Sequence, residues 1–373
     1  MLRRRPGLRR SRCVVKRGEL LALTAGAILV SALACWGQGK RMVIIDQDAA
    51  GPGSTGQQAI LLMIQSPWTH VLGITVVTGD QWRDEEVAHT LRLLELIHRT
   101  DIPVVPGAEY PLVRRKTAAE LWEKRYGEVV WLGAWTPRLF HAPDVVPPMP
   151  EARPTTKASS EDAAHFLVRM VHKYPHEVTI YEGGPMTNLA LAISMDPSFP
   201  KLARELVFMG ASLNPHTDDP EFANTPRHEF NLWFDPEAAH IVLRAHWAKI
   251  TCTPVDISIK THLTPNLVKE IARSHTPSAR YIAKYAHAGG SFDYLWDELA
   301  AAAWLDPGII TKEEILYMDV DLDRGAGYGN VLTWTDKGKP QVGLQPVHIQ
   351  MDLDRRRFDQ LFVKLLSAPT PQP

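Results

Sequence analysis

The stretch VIIDQDAAGPGSTGQQAILLM, residues 43–63, decides the fold. It opens on a β-branched apolar run, passes two aspartates, Asp46 and Asp48, crosses a loop of small residues and glycines, and enters an apolar helical pattern. Strand, glycine-bearing loop and helix in that order open a βαβ unit, from which parallel sheets are built. In such sheets ligands bind beyond the carboxyl ends of the strands. Asp46 and Asp48 therefore sit where an α/β protein keeps its chemistry, and the loop behind them holds no further acid.

The same alternation continues downstream. Strands are expected at MVIID (42–46), VLGITVVTG (71–79), IPVVPG (102–107), EVTIYEGG (177–184), ELVFMGAS (205–212) and KITCTPVD (249–256). Helical patterns at 83–100, 160–174, 186–196 and 235–246 lie between most of them. The expected fold class is α/β, an open and mostly parallel central sheet with helices on both faces.

Each strand's exit then names candidates. The first leaves into Asp46 and Asp48, the second into Thr78-Gly79-Asp80, and the fourth into EGGPMTN. There glycines let a backbone approach a ligand, and Thr187 or Asn188 suits a helix cap. The fifth ends in MGASLN and the sixth in Asp256. Carboxylates at three exits, converging on one edge, predict an anionic pocket for a hard cation or a ligand rich in hydroxyls. Two long irregular stretches, 110–160 and 212–234, follow strands and are placed to cover it.

The 373-residue chain is 45% hydrophobic and 22% charged, an ordinary globular composition. Its first 34 residues differ. Eight basic residues precede LLALTAGAILVSALA, an apolar run that ends in Ala32-Leu33-Ala34 before Cys35. This is the layout of a secretory signal, and the run is short for a membrane span of roughly 20 residues. An uncleaved anchor and lipidation at Cys35 are the alternatives. Export, periplasmic or secreted, is expected, with the membrane reached only through the leader or a lipidated Cys35.

Without that segment the chain carries 33 basic and 41 acidic residues, a net −8. An acidic protein lacks the electrostatic footprint for nucleic acid. Cys252, alone in the body, builds neither a disulfide framework nor a zinc site and is expected to be buried and inert.

From about Met42 to about Leu366 the chain resembles the inosine-uridine-preferring nucleoside hydrolases. The resemblance rests on an ordered set: the D-x-D strand exit, ITVVTGD, IPVVPGAEYPLVR, EGGPMTNLALA, LVFMGAS, NTPRHEFNLWFDPEAAHIVL, WDELAAAAWLDP and YMDVDLD. HEFNLWFDPEAAHIV is its most specific part. Residues 35–41 then read as a short linker and 367–373 as a disordered tail.

The resemblance implies one Ca²⁺ at the strand ends, holding the ribose 2′- and 3′-hydroxyls and a water. It gives the metal to Asp48, the carbonyl of Gly183 and Asp297, with Asp46 in support, and makes Asp48 the general base. It also gives the substrate to Asp80, Asn224, Glu229, Phe230 and Asn231. The expected partner is a small nucleoside or sugar, and a homo-oligomer is compatible with the family.

Two departures stand out. The family's paired loop aspartates, in D-x-D-x-G-x-D-D-A, are replaced by the longer AAGPGSTGQQA, with Thr55 and Gly56 near the missing pair. Neutral oxygens of Ser54, Thr55, Gln57 or Gln58 are the substitutes at hand. Calcium affinity follows ligand charge and rigidity, so weaker, different or absent binding is expected. The histidine that protonates the base in purine-active members is Trp296 here, a residue suited to stacking on a base. His228, His287, Tyr285 and Tyr294 are the other candidates for the proton.

Three activities fit this pattern. One is an N-glycosidase that hydrolyses a ribonucleoside to ribose and base. Another is a non-catalytic relative that binds a sugar or nucleoside, and the third is a calcium-independent enzyme cleaving another glycoside. The E-F-N segment with Asp48 and Asp297 favours the first.

Overall fold

The computed structural model describes residues 39–225, 227–291 and 293–372. Among them nine strands form one sheet: β1 (Arg41–Gln47), β2 (Thr69–Val76), β3 (Val104–Pro106), β4 (Val178–Glu182), β5 (Glu205–Met209), β6 (Ile250–Thr253), β7 (Ile310–Val320), β8 (Val331–Trp334) and β9 (Pro346–Leu353). Their order is β3-β2-β1-β4-β5-β6-β9-β7-β8. All neighbours from β3 to β9 are parallel, while β7 runs antiparallel to both β9 and β8. The chain winds outward from β1 to β3, then returns to β4 on the other side of β1. The crevice where such an order reverses is where open α/β sheets bind ligands.

β1 shows why this segment is a central strand. Val43, Ile44 and Ile45 are wholly buried, and the two-residue period sends Val43 and Ile45 into one core cluster and Ile44 into the other. A strand covered on both faces reads as a continuous apolar run. The helix that follows, Thr55–Gln65, is buried along nearly its whole length, because it is packed against helix Trp296–Leu305 as well as the sheet. Ala300 to Ala303 in that partner helix carry only methyl groups, which permits close approach.

The six expected strands and four expected helices are present, with ends shifted by a few residues. Three features depart from expectation. The sheet is extended by β7, β8 and β9; in β7 the exposed, charged Lys312 and Glu313 and the half-buried Glu314 blur a strand pattern. The stretch 110–160 contains a helix, Lys116–Tyr126, and a 3-10 turn, Gly133–Trp135. Asp256, expected at the pocket, belongs to the short helix Val255–Ser258. Its carboxylate accepts the backbone N–H groups of Leu213 (2.9 Å) and Asn214 (2.8 Å), so it fastens the loop after β5.

Cys252 is buried in β6, its thiol 3.2 Å from the carbonyl of Gly210. The leader, Ala34 and Cys35 lie outside the described residues. Among the described residues no helix is long and apolar enough to cross a membrane.

Candidate active site

A cavity of about 230 Å³ opens beyond the carboxyl ends of β1, β2, β4 and β5. Of the residues singled out in the sequence, Asp48, Asp80, Gly183, Glu229, Phe230, Asn231, Trp296 and Asp297 line it. Asp46 and Asn224 do not. Asp46 is fully buried, and its Oδ1 accepts a hydrogen bond from Asn188 Nδ2 at 2.8 Å. Burial pushes its pKa up to about 7 against that hydrogen bond. Asn224 is the exposed last residue of helix Pro220–Asn224, which turns Glu221 and Phe222 toward the cavity instead.

Asp48 stands between two glycines. A Cβ on Gly79 would come within 2.0 Å of Asp48 Oδ2, and one on Gly184 within 3.0 Å of its Cγ. A Cβ on Gly183 would meet Gln47 Nε2 at 2.3 Å. The glycines of EGGPMTN thus make room for the side chains of β1. Nor do Thr187 and Asn188 cap the helix that follows: Thr187 Oγ1 donates to Asp235 Oδ2 (2.7 Å) and Asn188 serves Asp46, because buried carboxylates need those donors more than a helix end does.

Asp48 Oδ2 accepts the backbone N–H of Asp80 at 3.1 Å. Burial, then the charges of Asp80, Glu86 and Asp297, hold the Asp48 carboxyl well above the usual carboxylate range. Asp80 is pushed up to about 6 by burial and is steadied by Trp131, whose Nε1–H donates to Asp80 Oδ1 at 2.7 Å. Trp131 also lines the cavity and meets the Phe230 ring edge-on, centroids 6.4 Å apart. It comes from the 110–160 stretch, which therefore supplies a wall of the site.

Asp297 arrives from the far end of the chain on the first turn of helix Trp296–Leu305. Its backbone N–H reaches Thr55 Oγ1 at 3.3 Å, and its carbonyl accepts the hydroxyl of Tyr181 at 2.8 Å. Burial, then the charge of Asp80, raises its carboxyl well above the usual range. Glu229 caps helix Phe230–Phe234, accepting N–H groups from Asn231 (2.9 Å), Leu232 (3.1 Å) and Ala211 (3.0 Å). Burial pushes it up to about 7 in spite of those three donors. Asn231 Nδ2 donates to the carbonyl of Met209 at 3.2 Å and approaches that of Gly183 at 3.4 Å.

The residues present do not fit a calcium shell. Calcium takes six to eight oxygens, whereas of the neutral substitutes for the missing loop aspartates only Thr55 lines the cavity, and the oxygens of Ser54, Thr55 and Gln57 are already hydrogen-bonded. Thr55 Oγ1 donates to Glu298 Oε2 at 2.5 Å, and Ser54 Oγ donates to the carbonyl of Ala50 at 2.7 Å. Gln57 Oε1 receives the Tyr281 hydroxyl at 2.9 Å, and Gln58, whose Nε2 donates to the carbonyl of Gly53 at 3.0 Å, keeps its buried Oε1 unpartnered but outside the cavity lining. Among the described residues no three acid, histidine or cysteine side chains group as metal ligands do.

The proton-donor candidates scatter. His287, Tyr285 and Tyr294 line a neighbouring, open cavity that shares Thr55 and Trp296 with the first. His228 is buried against Trp233, and burial and Arg114 push its pKa down to about 3. Among the wall residues not singled out by sequence are Trp131, Glu221 and Phe222. The long stretches that hold them pointed to a cover, but no periodicity there says which side chain turns inward.

The sequence pattern described as inosine-uridine preferring nucleoside hydrolase matches residues 43–360. Uridine nucleosidase 1 of Arabidopsis thaliana is 28% identical, covering 84% of this chain and 89% of its own length. The pyrimidine-specific ribonucleoside hydrolase RihB of Escherichia coli is 26% identical, over 79% of this chain and 87% of its own. The fold is that of a plant nucleoside hydrolase, the PpNRh1 enzyme, with a TM-score of 0.69 and 24% identity over 88% of this chain and 99% of that one. With Asp48 of the D-x-D exit, the E-F-N turn and Asp297 gathered at one cavity on that fold, the chain belongs to the inosine-uridine preferring nucleoside hydrolase family.

Proposed function

We propose that this protein hydrolyses the N-glycosidic bond of a ribonucleoside, releasing ribose and the free base, with Asp48 taking the proton of the attacking water. One observation carries the reading: Asp48 and Asp297, from opposite ends of the chain, line the same small cavity as the E-F-N turn. At about 230 Å³ it lies just below the range of about 300–1,000 Å³ for drug-sized ligands, a size for one sugar ring and part of a base.

Cleaving a glycosidic bond builds positive charge on the ring carbon and oxygen, and carboxylates beside the ring stabilise it. Asp80 and Asp297 line the cavity where that charge develops, and in their ionised form they stabilise it. Burial, then the charges of Asp80, Glu86 and Asp297, raise the Asp48 carboxyl above the usual carboxylate range, which makes its ionised form a stronger base. Phe230 and Trp296 offer ring faces to a sugar or base, and Asn231 an amide to a ribose hydroxyl.

Family members are generally calcium-dependent. Here the cavity offers Asp48, Asp80, Asp297, the Gly183 carbonyl and the neutral Thr55 in place of the paired loop aspartates, so we propose a weaker dependence than in relatives that keep both. The basic and apolar pattern of residues 1–34 supports export.

The test is a reducing-sugar assay of the purified protein across pyrimidine and purine ribonucleosides. Ribose release that falls about 10²–10⁴-fold in Asp48→Asn is expected. Binding without release from any nucleoside would overturn the hydrolase reading in favour of a binding protein.

A further inference from the structure

We propose that Glu221 is the acid that protonates the departing base, a role that rests on the hydrolase reading above. A heterocyclic base leaves the ribose as an anion unless a proton reaches one of its ring nitrogens as the bond breaks. The donor must share the cavity of Asp48 and Asp297. Trp296 does, but an indole N–H does not ionise usefully. His228 lies outside the cavity lining, and His287, Tyr285 and Tyr294 line the neighbouring one.

Glu221 meets the requirement by position. It lies early in helix Pro220–Asn224, where its backbone N–H is held by the capping Asp219 carboxylate at 3.0 Å. The next residue, Phe222, packs edge-on against Trp296, ring centroids 5.7 Å apart. Glu221, Phe222 and Trp296 therefore form one wall, with an acid beside two rings suited to a base.

Its bonding singles it out as well. Asp48 accepts an N–H from Asp80, Asp80 one from Trp131, and Glu229 three from the backbone. Among the described residues the Glu221 carboxyl has no such donor, so nothing rewards its ionised form. Burial, then the negative charges of Asp219, Glu229 and Asp80, push its pKa up to about 8. It carries a proton at neutral pH.

The step balances. Water oxygen bonds to C1′ while the C1′–N bond breaks, and that bond's electron pair stays on the base nitrogen. The nitrogen takes the Glu221 proton, and Asp48 takes one from the water. Ribose and neutral base leave, and exchange with solvent returns a proton to Glu221 and removes one from Asp48.

The experiment compares wild type, Glu221→Gln and Glu221→Asp on a nucleoside and on nitrophenyl riboside, whose phenolate leaves without a proton. Glu221→Gln should lose about 10²–10⁴-fold on the nucleoside and far less on the nitrophenyl riboside. Its fall in kcat/KM above about pH 8 should vanish. Glu221→Asp, which keeps an acid, should recover part of the nucleoside activity. Equal losses on both substrates, or Asp no better than Gln, would make Glu221 a sugar contact or packing group and overturn the assignment alone. Wild type inactive on both substrates would overturn the hydrolase reading and this role with it.

Discussion

The indole of Trp131 donates a hydrogen bond to the carboxylate of Asp80 at 2.7 Å, tying the 110–160 stretch to the exit of β2. The tie is reinforced one turn later, where the N–H of Ala134 reaches the carbonyl of Gly79 at 2.9 Å. Trp131→Phe keeps a ring against Phe230 and removes only the donor. A hydrogen bond to a charged group contributes about 1.5–3 kcal/mol, so kcat/KM should fall roughly 10–100-fold. Steady-state kinetics check this, and an unchanged kcat/KM would show that Asp80 is held without the indole.

Gly79 should be among the least replaceable residues of the site. Its missing Cβ is what lets Asp48 Oδ2 sit 2.0 Å from where that atom would be. The neighbour that would have to move is the carboxylate itself, pinned to the N–H of Asp80. Gly79→Ala is expected to abolish most ribose release, and a ligand-binding titration should show the loss as well. Full activity in the variant would mean that Asp48 is free to relocate.

The sequence made the frame legible because strand exits in a parallel sheet are fixed by pattern alone. Asp48, Asp80 and Gly183 each sit at the end of an apolar run, and each lies at the cavity. Asp297 was legible only through the family resemblance, since helix packing rather than local pattern carries it to β1. Asp256 shows the limit of reading exits: one residue past β6 the chain turns into a helix, and its carboxylate serves two backbone amides. Glu221 and Trp131 were hidden because an irregular stretch has no period from which to infer a face.

Thr55 falls near the position of the loop aspartates that the family pattern carries and this chain lacks. Its hydroxyl bridges Glu298 and the N–H of Asp297, beside the cavity shared by Asp48. Thr55→Asp would return one negative charge to the donor set, and calcium affinity rises with ligand charge. Calorimetry should find calcium binding at least about tenfold tighter in the variant than in wild type. Wild-type binding as tight as the variant's would mean that the donors already suffice.

The crowd of buried acids gives the unliganded protein an unusual pH response. Burial raises Asp46 to about 7, Asp80 to about 6, Glu221 to about 8 and Glu229 to about 7. Unfolded, such groups titrate near pH 4. Between about pH 4 and 8 the folded state therefore holds protons that the unfolded chain releases, and stability falls as pH rises. His228 works in the opposite direction, costing stability as pH drops from about 6.5 toward 3, but it is one group against several. The thermal midpoint should accordingly be higher at about pH 5.5 than at about pH 8.5. Asp80→Asn, which removes one of the charges, should raise the midpoint at the alkaline end by a few degrees and flatten the slope. A midpoint that climbs from the acid to the alkaline value would mean that the cavity carboxylates are ionised and neutralised by a partner, a bound cation foremost.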